Sequence, residues 1–339
     1  MPVDTALAAV FHAPGQPLTI DAFPIPKIEP GQTLVRIRCA TICGSDLHTH
    51  TGRRISPSPS VLGHEMVGDI VATDTSHKVG DRVTWSMVWS CGVCDNCLRG
   101  LHAKCHQLYK FGHAAITPTS HFSGGFAQYC LLPAGTGIFK IPDNIPDPVA
   151  SIANCATATV AATLRKAAPI KDQTIVILGA GMLGLNACAM ANHLGAKEVF
   201  AIDTDPHRQA LATHFGAALN PQPNSAHVVL DFTGNPDAME QGISYLRTGG
   251  IFILAGAVFP SRPIQLPAEQ IVRKCLRIEG VHNYSPNDLA AALDFLAATT
   301  YNFENLIEGH YSLNEINEAF AFAQSHKPPR VAIYPNEKP

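Results

Sequence analysis

Along the first 150 residues, apolar positions gather in short runs broken by Pro, Gly and Asp. "TLVRIRCATIC", "VGDIVA", "DRVTW" and "FAQYCLL" are such runs, and their β-branched and aromatic content predicts strands. Their irregular spacing predicts an all-β, barrel-like domain. Near Asp147 the pattern changes. "DPVASIANCATATVAATLRKAAPI" is rich in Ala and predicts helix up to Pro169. Beyond it strands and helices alternate. "TIVILGAG" precedes helix "MLGLNACAMANHLG", "EVFAID" precedes "PHRQALATHFG", and "HVVLDFTG" precedes "PDAMEQGISYLR". Strands "GGIFILAG" and "LRIEGVH" follow, then helix "PNDLAAALDFLAA" and a tail reading as helix then strand. This alternation predicts a doubly wound parallel sheet covered on both faces, an α/β fold.

Composition narrows the field. The chain has 339 residues, 46% hydrophobic and 15% charged, enough apolar material for two cores and too little charge for disorder. A net charge of −3 gives no electrostatic reason to bind nucleic acid or an anionic membrane. The first residues, "MPVDTALAAVFHAPGQPL", lack the basic and then apolar order of a signal peptide. No apolar run reaches membrane-spanning length. A soluble, cytoplasmic, enzyme-sized protein with a small-molecule partner is expected.

Ten cysteines in such a chain are more readily thiols or ligands than disulfides. Cys91, Cys94, Cys97 and Cys105 stand at C-x2-C-x2-C-x7-C, a density that suits a tetrahedral Zn²⁺ with every position filled. That is a structural ion. Redox cysteines and an iron–sulfur cluster remain the alternatives. Cys39, Cys130, Cys188 and Cys275 are expected to be inert core residues.

"VILGAGMLG" sets Gly179, Gly181 and Gly184 in the order G-x-G-x-x-G between a predicted strand and a predicted helix. Gly179 would permit the turn, Gly181 the approach of a pyrophosphate, and Gly184 close helix–strand packing. Asp203 closes the next strand, where its carboxylate would bond the adenosine ribose hydroxyls. Thr204 and Asp205 follow it with no cation, which favours NAD over NADP.

"CGSDLH" at Cys43–His48 and "LGHE" at Leu62–Glu65 add a Cys and a His that suit zinc with an open position, and Cys155 is the natural third donor. With the four-cysteine lobe, "GAGMLG" and "VVLDFTG" in the same order, the chain resembles the zinc-dependent medium-chain alcohol dehydrogenases over nearly its whole length. The resemblance implies a GroES-like catalytic domain of residues 1–150 and 298–339, its tail returning, around a Rossmann NAD-binding domain of residues 151–297. It implies two zincs per chain, one catalytic on Cys43, His64 and Cys155, and a homo-oligomer, dimer or tetramer. Asp46 would fix the His64 tautomer, and Glu65 would approach the metal during ligand exchange. Ser45 would pass the substrate proton through the nicotinamide ribose to His48. Thr159 would touch nicotinamide, and Arg330 the pyrophosphate. Longer motifs ("NCATATV", "YKFGH", "LPAGT", "EGVHNYSP") resemble a branch associated with phosphonate catabolism. Arg53, Arg54 and His282 are then candidates to receive an anionic alcohol such as a hydroxyalkylphosphonate. Polyol or simple-alcohol oxidation is the alternative, and a zinc-free reductase or non-catalytic relative the more distant one.

Overall fold

The computed structural model of the chain describes residues 4–117 and 120–336. Residues 1–3 and 337–339, the outer ends of the expected catalytic domain, lie outside them. The chain forms two compact units, one running to Cys155 and resuming at Asn302, the other Ala156–Tyr301. The change comes later than the sequence pattern placed it, so Cys155 belongs to the first unit. Among the described residues no helix is long and apolar enough to cross a membrane.

The first unit is built on a mainly antiparallel sheet. Its order is Ile138–Lys140, Arg82–Trp85, Glu65–Thr73, Thr33–Ile42, Arg330–Tyr334, Ile307–Ser312, with Tyr129–Leu132 also paired to Thr33–Ile42. Thr33–Ile42 is central, and only Arg36 and Arg38 along it are exposed. A smaller sheet joins Thr19–Pro24, Thr5–Phe11 and Ser60–Val61. Trp85, Phe111, Phe126 and Phe320 are fully buried in the core between sheet and tail helix Ile316–His326. Each such ring contributes roughly 1.5–3 kcal/mol by leaving water. The tail strand Arg330–Tyr334 pairs antiparallel with Thr33–Ile42, Val331 opposite Ile42 and Ile333 opposite Ala40.

The second unit holds five strands, all parallel, in the order Glu198–Ile202, Thr174–Leu178, Ala226–Asp231, Leu246–Leu254, Arg277–Gly280. The chain leaves Thr174–Leu178 in one direction and returns to its other side at Ala226–Asp231. That reversal is where doubly wound sheets open a crevice at the carboxyl ends of their strands. The helices begin as their sequences dictate. Asp205 and Asn235 accept the backbone N–H groups of His207 and Asp237, each with Pro at the first helical turn. Ser285 and Asp288 form a reciprocal cap for Pro286–Ala298, and Arg165 grips Asp288 with bonds of 2.7 and 3.0 Å.

Several elements escaped the pattern, among them strands Thr5–Phe11 and Thr19–Pro24 and helix Gly44–His50. Helix Ala268–Arg273 buries none of its residues, so it has no apolar stripe to read. Strand Ile307–Ser312 buries only Ile307 and exists because the tail strand pairs with it. Cys39, Cys130 and Cys188 are buried as expected, but Cys275 is exposed. Its left-handed backbone, φ 52°, follows that short surface helix and turns the residue out of the core.

Candidate metal and cofactor sites

Strand register assembles the first site. Thr41 lies opposite Glu65 in the antiparallel pair, so the residues just beyond, Cys43 and His64, meet at the same edge. On the other side Val331 faces Ile42, which brings Arg330 to Cys43. Cys43 then caps helix Gly44–His50, and Asp46 in that first turn is fully buried. Cys155 arrives on a π-helical turn, Ala153–Thr157, a distortion common at functional sites. Asn154 anchors that turn through Trp85 O at 3.1 Å, and Ser151 bonds Thr41 at 3.1 Å.

The ligand atoms of Cys43, His64, Glu65 and Cys155 all lie within 4.8 Å of one another. Asp46 accepts the Cys43 N–H at 2.9 Å and the Gly63 N–H at 3.3 Å, and its Oδ1 stands 3.3 Å from His64 Nδ1. The last contact is an ion-pair distance without hydrogen-bond alignment. It turns His64 Nε2 the other way, where Ser45 Oγ lies 3.2 Å off. Burial pushes the His64 imidazole down, but the Asp46 charge and the bond to Cys43 outweigh it and lift the group to about 10. The bond from Cys155, with the Arg330 charge, holds Cys43 well below an ordinary thiol, while Cys155 is raised by that same bond and by burial. Two soft sulfurs, an oriented imidazole and a carboxylate this close fit a divalent cation such as Zn²⁺.

Glu65 is held back. Arg330 donates to both of its oxygens, at 2.6 and 2.7 Å, and Thr41 adds a third bond at 2.6 Å. The guanidinium also reaches Cys43 Sγ at 3.4 Å and Pro329 O at 2.7 Å. Arg330, expected at the pyrophosphate, thus has one Nη1 hydrogen left beyond these bonds.

The four cysteines of the lobe also converge, their sulfurs within 4.8 Å of one another. Cys94 and Cys97 sulfurs are 3.5 Å apart, near the roughly 3.8 Å that two ~2.3 Å bonds to a tetrahedral zinc would give. Backbone N–H groups of Cys91 and Gln107 point at Cys105 Sγ at 3.3 Å, and that of Cys94 at Cys91 Sγ at 3.4 Å. Such donors stabilise thiolate. Backbone bonds around His106 and Cys97 lower Cys94 to about 6, while burial and the Cys94 bond raise Cys97 to about 12.

In the second unit the glycine turn follows strand Thr174–Leu178. Gly179 has φ 91°, and a Cβ there would strike Thr233 Cγ2 at 2.9 Å. A Cβ on Gly184 would lie 1.8 Å from Gly179 O, so the helix packs on its strand only with Gly. One on Gly181 would meet no protein atom within 4 Å, which suits the approach of a ligand. Asp203 sits beside this turn, accepting the Ala180 N–H at 2.7 Å and the Asp205 N–H at 2.9 Å. Arg208, further along, lies 4.0 Å from Asp205. Thr159 is half-buried on helix Ala158–Ala167.

Family comparisons agree with this inventory. Residues 29–143 match a model described as an alcohol dehydrogenase GroES-like domain, and residues 183–298 one described as a zinc-binding dehydrogenase. Over 97% of both chains the protein is 30% identical to a sorbitol dehydrogenase of Bacillus subtilis. The chain belongs to the zinc-dependent alcohol dehydrogenases. It is 28% identical to an L-threonine 3-dehydrogenase of Deinococcus radiodurans over 91% of each chain. An alcohol dehydrogenase of Thermotoga maritima shares its fold with a TM-score of 0.91 and 27% identity, covering 98% of this chain and 100% of that one. This alcohol dehydrogenase is therefore an oxidoreductase acting on CH–OH groups.

The residues expected around its substrate fare unevenly. Arg53 is exposed and Arg54 half-buried, and the Arg54 N–H is fixed to His48 O at 2.9 Å. His282 is exposed and belongs to the other unit. The imidazole that Arg54 bonds is His113, at 3.2 Å, and His113 stacks on His64 with ring centroids 5.1 Å apart. His113 and Lys110 were not among the expected site residues. The one signal for them was "YKFGH", whose Gly112 folds the loop against His64. His48 is half-buried, and burial, then Arg53 and Arg54, outweigh Cys43 to hold its pKa below that of a free imidazole.

Proposed function

We propose that this dehydrogenase moves a hydride between an alcohol or carbonyl and NAD, with Cys43, His64 and Cys155 holding a catalytic zinc. Cys91, Cys94, Cys97 and Cys105 hold a second, structural zinc, and the protein works in the cytoplasm as a homo-oligomer. The observation that carries the reading is the donor set itself. Two sulfurs and an imidazole converge while the Glu65 carboxylate is tied to Arg330, which leaves a fourth position for substrate. When bound, zinc supplies a Lewis acid that makes an alcohol more acidic and polarises a carbonyl, and NAD takes the hydride.

The chain's own residues orient and move the proton. Asp46, anchored by two backbone N–H groups, keeps His64 Nε2 aimed at the donors. Ser45 Oγ, 3.2 Å from that nitrogen, would take the substrate hydroxyl proton, with His48 as its final acceptor. A His48 kept neutral by burial and by its arginine neighbours is ready to accept it. Glu65 exchanges between Arg330 and the donors as ligands come and go. Gly179, Gly181 and Gly184 would receive the pyrophosphate, and Arg330 keeps one hydrogen that could serve an anion. Asp203 receives the ribose, and Thr159 the nicotinamide.

Metal analysis and initial rates test this together. Two zincs per chain are expected, with NADH formed from an alcohol panel faster than NADPH. One zinc or none, and no cofactor reduction with any alcohol, would overturn it. The relative named for sorbitol supports a second reading in which a neutral polyol is the substrate.

A further inference from the structure

A group of cations and N–H donors stands beside the metal-binding residues with no carboxylate paired to it among the described residues. Gly112 makes the group possible. Its φ is +71°, and a Cβ there would lie 2.7 Å from Gly63 O and 3.0 Å from His64 Cβ, so only glycine lets this loop close on the metal ligand. The turn is held by the His113 N–H to Lys110 O at 3.2 Å and the Gly112 N–H to Ser123 O at 2.7 Å. His113, 8% exposed, thereby stacks against His64 with the ring planes 29° apart.

Arg54 Nη1 lies 3.2 Å from His113 Nε2. A guanidinium only donates, so Nε2 accepts and the imidazole carries its proton on Nδ1. That Nδ1–H is buried and has no acceptor among the described residues. Arg54 and Lys110 likewise have no carboxylate within ion-pair range among the described residues. By contrast Arg38, Arg82, Arg165, Arg262 and Arg330 each meet an Asp or Glu. Lys110 is near enough to Arg54 to feel its charge, and burial, then Arg54, lowers its ammonium to about 8 against the opposing pull of Cys155 and Cys43. With a divalent cation on those thiolates, their charge no longer offsets the cluster. Like charges gathered in a half-buried place without a counter-ion are costly. An oxyanion among them removes that cost, and a guanidinium offers it paired bonds.

We propose that Arg54, Lys110 and His113 form a subsite for an oxyanion carried by the substrate. The alcohol is then a short hydroxy acid, carboxylate or phosphonate, whose hydroxyl lies toward Cys43, His64 and Cys155. This rests on the dehydrogenase reading above and names the substrate class of the same site.

The test is calorimetric titration of the zinc-loaded, NADH-bound protein with 3-hydroxypropanoate, 2-hydroxyethylphosphonate and 1-propanol, beside NAD reduction with the same three. The wild type should bind at least one anion tenfold or more tightly than 1-propanol. Lys110→Met and Arg54→Gln should each weaken that anion ten- to a hundredfold, the span expected for a charged hydrogen bond. Arg54→Lys should recover part of the loss. Binding of only the carboxylate or only the phosphonate tells which oxyanion the site was built for. Anions bound no better than 1-propanol, or anion affinity unchanged within twofold in both variants, overturn the subsite. The two readings fail separately. Anion binding without turnover of any alcohol counts against the dehydrogenase assignment alone, and turnover of 1-propanol without anion binding counts against the subsite alone.

Discussion

Replacing Arg330 with Met removes the cation that holds Glu65 in the protein interior. Both partners are almost wholly out of water, with side chains 5% and 0% exposed. Glu65 loses two charged bonds and keeps only the one from Thr41. A buried carboxylate stripped of its partner costs about 3–5 kcal/mol. At ~2–4 °C per kcal/mol for a unit of this size, thermal unfolding should fall by about 6–20 °C. Glu65→Gln alone leaves Arg330 without its carboxylate and should cost a similar amount. The double variant Glu65→Gln/Arg330→Met loses both charges together, so its penalty should be at least ~2 kcal/mol smaller than the sum of the two single ones. Circular dichroism or calorimetric melts of the four proteins at fixed zinc close the cycle. A loss below about 1 kcal/mol for Arg330→Met, or strict additivity, would mean that the pair is not holding Glu65 in place.

Cys97→Ser should remove one zinc and lower the melting temperature, because the lobe around it depends on four filled positions; an unchanged melt would contradict a structural ion there. The wild type should prefer NAD over NADP by at least about tenfold in kcat/KM, ~1.4 kcal/mol, and Asp203→Ala should narrow that gap. Equal use of both cofactors would refute the role given to Asp203. Lys110 is lowered to about 8, so its charge is present below that pH and lost above it. Arg54 and Lys104 add positive charge nearby, while Cys155 and Cys43 oppose them. KM for 3-hydroxypropanoate or 2-hydroxyethylphosphonate should therefore rise as pH passes about 8 in the wild type and lose that step in Lys110→Met. A step unaltered by the substitution would locate the titration elsewhere.

The parts legible in the sequence share a physical feature: their chemistry repeats along the chain. Strands Thr174–Leu178 and Ala226–Asp231 are buried on both faces, so they read as apolar runs bounded by glycine turns and capped helices. The four-cysteine lobe is local, and spacing alone brings its sulfurs together. Arg330 was legible as a cation on the returning tail, yet its position against Glu65 and Cys43 follows from the register of Val331 on Ile42. No stretch of sequence carries that register. Lys110 and His113 were hidden for a similar reason, since their approach to His64 depends on a glycine that lets one loop settle on another. His282 was grouped with Arg54 by resemblance, while the ring at Arg54 is His113. Helix Ala268–Arg273, which buries none of its residues, left no periodicity to find.

The central claim is that the reaction takes place on a zinc held by Cys43, His64 and Cys155. Zinc content and NAD-linked turnover of Cys43→Ser, measured on one folded preparation, test it most directly. The account predicts one zinc per chain in place of two, with turnover lost and the four-cysteine lobe intact. One zinc lost with near-normal turnover, or two zincs kept with turnover unchanged, would contradict it.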